Sequence, residues 1–146
     1  MENIKNKVII SIDPDLHKNG YALYQMGSFG CVTSVNMWEL FKCLEAAKWC
    51  EDNTGDDLTV LLEYPENTNT YHKGGKGAAL NVGKNQAVAI IIKEFLEAKN
   101  IKHKLLFPKG YSNFFKDEKF FKLQTKWTER TNQDARAAAA MIWLNK

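Results

Sequence analysis

Three observations predict an α/β fold, a five-stranded sheet flanked by helices. Compact apolar runs with strand character (VIISI, LTVLL and IKHKLLF) recur along the chain. Helical periodicities stand between them, over residues 40–50 and 78–98, and a last one follows at 133–144. Together they give the order β-β-β-α-β-α-β-α-α, in which a hairpin cluster at the start gives way to strands separated by helices.

The first strand is read at residues 8–12. Asp13-Pro14 stops it, because the residue before a proline is held extended. After a polar turn, residues 20–26 read as a second strand, and Gly27 and Gly30 bracket a hairpin to a third at 31–35. Asn36 with Glu39 three positions on has the form of a capping box, and Leu40, Phe41, Leu44, Ala47 and Cys50 then repeat at helical spacing as far as 53–55. A fourth strand, 58–62, ends at Glu63. Residues 64–77 (YPENTNTYHKGGKG) are polar and aperiodic and read as a loop. The helix expected over 78–98 is dense enough through AVAIII to predict burial on most of its sides. A fifth strand at 101–107 closes at Pro108, a lysine-faced helix is expected over 113–125, and Asn132 caps the last helix at 133–144. With no internal repeat, linker or low-complexity stretch, the expectation is one domain over 1–146.

A chain of 146 residues, 45% hydrophobic and 25% charged, carries enough apolar surface for one substantial core and is not that of a disordered chain. The longest apolar run, 87–92, is too short to cross a bilayer, and MENIKNK lacks the apolar stretch of a signal peptide, so a cytoplasmic location is expected. Three cysteines without a C-x-x-C pair suggest neither a disulfide framework nor a zinc ribbon, and they are expected as small core residues. His17, His72 and His103 are scattered, as surface residues rather than zinc ligands. The net charge is +3, yet residues 39–66 carry −6 and residues 99–130 carry +6. That asymmetry suits a one-sided polyanion-binding surface and a solvated lysine face equally well.

Three carboxylates stand out by position. Asp13 ends the first strand, Glu63 ends the fourth and Asp134 opens the final helix, and strand ends and helix N-termini are where ligand groups converge in an α/β sheet. Singly, each also suits a turn acid, a solvated strand end and a first-turn acid favoured by the helix dipole. Their order carries more. IISIDPDLHKNGYALY, LLEYPE, AALNVGKNQAVAIIIKEF with Gly83, and NQDARAAAAMIW, taken in sequence, resemble the RuvC Holliday junction resolvases of the ribonuclease H-like superfamily over nearly the whole chain.

The resemblance implies a ribonuclease H-like fold with a mixed sheet. It further implies a metal-dependent, structure-selective DNA endonuclease that hydrolyses phosphodiesters at Holliday (crossover) junctions, leaving a 5′-phosphate and a 3′-hydroxyl. Asp13, Glu63 and Asp134 would then be the catalytic acids and the ligands of Mg²⁺, with Mn²⁺ substituting. Hard oxygen donors are what Mg²⁺ selects, and one or two such ions supply an activated water and neutralise developing charge. Two departures stand against the family pattern. The last helix of the family carries two metal-site residues at i, i+3, whereas Thr131 and Ala137 flank Asp134 here, leaving a three-carboxylate site completed by water or by Asn132. Asp15 replaces a common glycine, as a further ligand or as part of the turn.

For branched DNA as partner, Tyr64 or Tyr71 would stack on an unpaired base, and Lys73, Lys76, Lys84, Lys109, Lys116 and Lys119 would meet phosphates. Gly83-Lys84-Asn85 lacks the Ser or Thr of a P-loop, so no nucleotide site is expected there. The two-fold symmetry of a four-way junction implies a homodimer, with apolar residues of 87–95 as candidate interface. The alternative is a ribonuclease H-fold nucleic-acid-binding protein with weakened or lost catalysis. A half-module of the actin-like ATPases would need a second lobe, for which 146 residues leave no room.

Overall fold

A computed structural model describes residues 5–64, 75–108 and 110–146, the side chains of 75–82 excepted. Its elements are β1 (Lys7–Asp13), β2 (Asn19–Gln25), β3 (Ser28–Val35), α1 (Met37–Thr54), β4 (Asp57–Glu63), α2 (Gly75–Ala98), β5 (His103–Leu106), α3 (Tyr111–Phe114), α4 (Glu118–Thr125) and α5 (Gln133–Asn145). The five strands form one mixed sheet in the order β3-β2-β1-β4-β5. β1, β2 and β3 are antiparallel neighbours, whereas β4 lies parallel to β1 and β5 parallel to β4.

The hairpin between β2 and β3 turns on Met26 and Gly27, both at positive φ (53° and 81°). Two such residues match the right-handed twist of the flanking strands. Gly30 does not bracket the turn, as the sequence reading had it. It lies inside β3 between Phe29, which pairs with Tyr24, and Cys31, which pairs with Leu23, so it is the extra residue of a β-bulge. The capping box of α1 forms as expected: the Asn36 carboxamide accepts the Glu39 N–H at 2.8 Å, and Glu39 returns a bond to the Asn36 N–H at 3.1 Å.

Successive strand side chains point to opposite faces, and here each face has its own core. On one, Val8, Ile10, Ile12, Leu58, Val60 and Leu62 pack against Leu40 and Leu44 of α1 and Val88, Ile92 and Leu96 of α2. On the other, Ala22, Val32 and Leu61 pack against Tyr111, Phe115, Phe121 and the alanine-rich side of α5. Asp13 lies two positions beyond Ser11 and Glu63 two beyond Leu61, so the strand period directs both acids to the α5 face.

Several sequence expectations are corrected. α2 starts at Gly75 and absorbs the end of the expected loop. It is not buried on most sides: Val88, Ala89 and Ile92 are covered, while Ile90 and Ile91 are 43% and 49% exposed, because the helix packs through one face on the sheet. The helix expected over 113–125 is two helices. Asp117 caps the second by accepting the Lys119 N–H at 2.9 Å, and a capping carboxylate favours a break over helix continuation. Cys31 and Cys43 pack half-buried against the core, whereas Cys50 is exposed and is not a core residue. His17 is exposed and His103 half-buried, while His72 lies outside the described residues. Among the described residues, no helix is long and apolar enough to cross a membrane.

Candidate active site

The position of Asp134 is set by small residues. Ala135 and Ala137 to Ala140 are fully or almost fully buried, and short side chains let α5 lie close on the β1–β2 pair. The Ser11 hydroxyl donates to the Ala138 carbonyl at 2.5 Å across that contact. Closest of all is Gly20, where a Cβ would stand 2.1 Å from the backbone oxygen of Asp134. Only glycine fits there. Gly20 is also the register partner of Asp13, so the first turn of α5 is delivered beside the end of β1.

The third acid arrives through the parallel pairing. Ile12 is opposite Leu62 in the β1–β4 register, and each strand continues by one residue, to Asp13 and to Glu63. Asp13, Glu63 and Asp134 thus share one face and one end of the sheet. Their charges are felt. Burial, followed by the charges of Glu63, Asp134 and Asp15, raises the Asp13 carboxyl from 3.8 to about 8. Burial raises Glu63, and burial followed by the charge of Asp15 raises Asp134. Among the described residues, no cation counts among the causes at any of the three.

Asp15 shapes the turn before β2 as well as adding charge. Its N–H donates to the Asn19 carboxamide at 3.0 Å, and its carboxylate accepts the His17 N–H at 2.9 Å. The residues around Asp134 are committed elsewhere. The Asn132 carboxamide oxygen accepts the Ala135 N–H at 2.8 Å as the N-cap of α5, and its NH₂ donates to the Ser34 hydroxyl at 2.6 Å. The Thr131 hydroxyl donates to Glu118 at 2.9 Å and accepts from Arg136 at 2.9 Å, and Ala137 is buried. Among the described residues, no group of three or more His, Cys, Asp or Glu side chains is close enough to hold a metal ion unaided. Mg²⁺ asks for less. It keeps several waters and is usually bound through one or two carboxylates together with substrate phosphates. Acids gathered where burial first, and neighbouring negative charge second, raise Asp13 are a donor set that a hard cation fits.

The residues expected to meet DNA are dispersed. Tyr64 is half-buried against the core, with the Lys93 ammonium 5.9 Å from its ring centroid. Lys84 lines a cleft of about 320 Å³ with Asp15, Leu16, His17 and Asn85, beside the turn that follows Asp13. Lys116 and Lys119 are exposed around the start of α4. Tyr71, Lys73 and Lys109 lie outside the described residues, as does the side chain of Lys76. Within the basic stretch, Lys99, Lys102 and Lys122 are engaged by Glu45, Asp57 and Glu118.

Sequence reasoning missed Arg136. It is 9% exposed, and its guanidinium donates to the carbonyls of Phe115 (2.8 Å), Lys116 (3.1 Å) and Thr131 (3.0 Å). An arginine interrupting an alanine run is the signal that could have found it, because a long cation amid small buried residues needs acceptors.

No protein-family model matches the chain, and no curated protein does. A solved structure of similar fold is T. thermophilus RuvC in complex with Holliday junction substrate, at a TM-score of 0.50 and 14% identity, covering 91% of this chain and 89% of that one. At that identity the likeness is one of fold.

Proposed function

We propose that the chain is a metal-dependent, structure-selective endonuclease of ribonuclease H-like fold, one nuclease domain over 1–146 that cleaves branched DNA, with the Holliday junction as its principal substrate. The observation that carries this reading is the convergence of Asp13, Glu63 and Asp134 on one face and one end of the sheet, where burial and mutual charge raise Asp13 to about 8. The fold it shares with a protein solved on a junction substrate supports it.

Asp13, Glu63 and Asp134 would hold Mg²⁺, or Mn²⁺ in its place. Such an ion, when bound, would supply a nucleophilic water and neutralise charge on the phosphate oxygens. The chain's own residues do the rest. Burial and the neighbouring acids raise Asp13 to about 8, so without the ion it would hold a proton near neutral pH, and cation binding would strengthen as pH rises. Gly20 and the buried alanines fix Asp134 against β2, and Asn132 holds the first turn of α5 in place. Lys116 and Lys119 would contact phosphates, as would Lys84 from its cleft beside Asp15. Two opposed nicks on a two-fold substrate call for a homodimer.

A panel of linear, forked, flapped and four-way DNAs incubated with Mg²⁺ tests the reading. Cleavage of the four-way DNA that vanishes in Asp13→Asn supports it. The alternative, a DNA-binding protein of the same fold without chemistry, is favoured by one observation: the position three residues from Asp134 holds Thr131 or Ala137 rather than a second metal-site residue. Tight binding to branched DNA with no cleavage in Mg²⁺ or Mn²⁺ would decide for it.

A further inference from the structure

Phe114 and Phe120 are 37% and 39% exposed at the surface formed by α3 and α4, and Leu123 beside them is 67% exposed. The two rings meet edge-on with centroids 6.2 Å apart, and both rest on the buried Phe115. A contiguous apolar patch of this kind marks a surface that something covers. Charges of both signs surround it, but they differ in what holds them. Lys116 and Lys119 are exposed and, among the described residues, in no ion pair. The neighbouring acids are committed, Asp117 to the Lys119 N–H and Glu118 to Thr131, Lys122 and Arg136.

The patch belongs to the acid end of the sheet. Leu106 is the register partner of Glu63, and the chain enters α3 five residues later. Arg136, two positions after Asp134, then ties the Phe115 and Lys116 carbonyls to the first turns of α5. The surface is therefore anchored to the helix that carries one of the acids.

We propose that Phe114 and Phe120, flanked by Lys116 and Lys119, form a platform on which an unpaired base stacks while the lysines pair with phosphates of its strand. The proposal rests on the reading of the chain as a nuclease of branched DNA, and it adds the unpaired base beside the branch as the feature recognised. Aromatic rings beside free cations suit a polyanion with exposed bases, because every base offers a π-face. A second copy of this chain would set lysine against lysine.

The test is binding of the full chain in EDTA, so that no cleavage intervenes. Three labelled DNAs are titrated: a linear duplex, a four-way junction, and a duplex with a single-stranded gap carrying 2-aminopurine. Phe114→Leu with Phe120→Leu keeps apolar bulk and removes the π-faces. It should weaken binding to the gapped and four-way DNAs by about tenfold or more, consistent with the loss of base stacking on an aromatic ring. Linear duplex binding and the salt slope should stay unchanged, and the 2-aminopurine quenching given by the parent protein should disappear. Lys116→Gln with Lys119→Gln should instead weaken all three DNAs and flatten the salt slope by about 1.8 on duplex, about 0.9 for each phosphate.

Equal weakening of all three DNAs by the leucine pair, or no weakening, overturns the platform. So does loss of a dimer in sedimentation of the same variant, which would make the rings an interface between copies. If the double variant unfolds, Phe120→Leu alone and the parent's own titration decide, and absence of quenching by the parent overturns the proposal. Absence of cleavage of any branched DNA by the parent in Mg²⁺ or Mn²⁺ would instead remove the nuclease reading, whatever the platform shows.

Discussion

Asp13→Asn should stabilise the metal-free protein while abolishing cleavage, two effects of opposite sign from one side chain. The Asp13 carboxyl, ordinarily at 3.8, is raised to about 8 by burial and by its acidic neighbours. Each pH unit of such a displacement is worth about 1.4 kcal/mol, so keeping the group protonated at pH 7 costs the fold about 4 kcal/mol at most. Partial solvent access lowers this to about 2–4 kcal/mol. Because the folded value lies above the unfolded one, the folded chain binds the extra proton between roughly pH 4 and pH 8. Stability therefore falls as pH rises through that window and levels off above it. Asparagine cannot ionise and removes the slope. Melts in EDTA at pH 5, 6, 7 and 8 should show the two proteins converging at the acid end and separating by roughly 5–15 °C near neutrality. Mg²⁺ should raise the parent's melting temperature more at pH 8 than at pH 6 and leave the variant unmoved. Parallel curves across this range would refute the claim that burial and acidic neighbours raise Asp13.

Glu63→Gln and Asp134→Asn should each abolish Mg²⁺-dependent cleavage of four-way DNA and retain binding in EDTA. Full activity in either variant removes that residue from the metal site. Gly20→Ala places a Cβ 2.1 Å from the Asp134 backbone oxygen, a clash no rotamer relieves. It should cost about 3 kcal/mol or more in urea denaturation, and an unchanged midpoint would show that α5 does not press on β2. Light scattering at micromolar concentration should report a dimer. If the exposed face of α2 forms its interface, Ile90→Lys with Ile91→Lys should give a folded monomer, and a dimer that survives both changes places the interface elsewhere.

How much of this was legible in the sequence depended on the length scale of the cause. The strands were readable because their periods and stops are local: β-branched runs ended by Asp13-Pro14 and by Glu63, and a capping box at Asn36 and Glu39. The three acids were readable as strand-end and helix-start residues, but singly each had an ordinary explanation. Other features needed a partner distant in sequence. The break between α3 and α4 depends on Asp117 capping one helix while Glu118 is drawn to Thr131. The exposure of Ile90 and Ile91 depends on α2 packing on the sheet through one face, which an apolar run cannot reveal by itself. Gly30 read as a turn glycine because a bulge and a turn use the same residue, and only the pairing of β2 with β3 separates them.

The acids are placed by residues that have no chemistry of their own. Asp13 and Glu63 are neighbours because β1 and β4 run parallel, a relation fixed by apolar side chains on the opposite face. Asp134 joins them only because Ala135 and Ala137 to Ala140 let α5 descend until its backbone meets Gly20. A larger residue at Gly20 or in the alanine run would lift the helix and draw Asp134 away from Asp13 without touching a carboxylate. The same descent explains why α5 carries a single acid: three positions on, Ala137 faces the core and is 1% exposed. A carboxylate there would be buried without a partner, at a cost of several kcal/mol. Three positions back, Thr131 is held outside the helix by Glu118 and Arg136. The helix that approaches closely enough to deliver one acid thereby buries the position three residues further on.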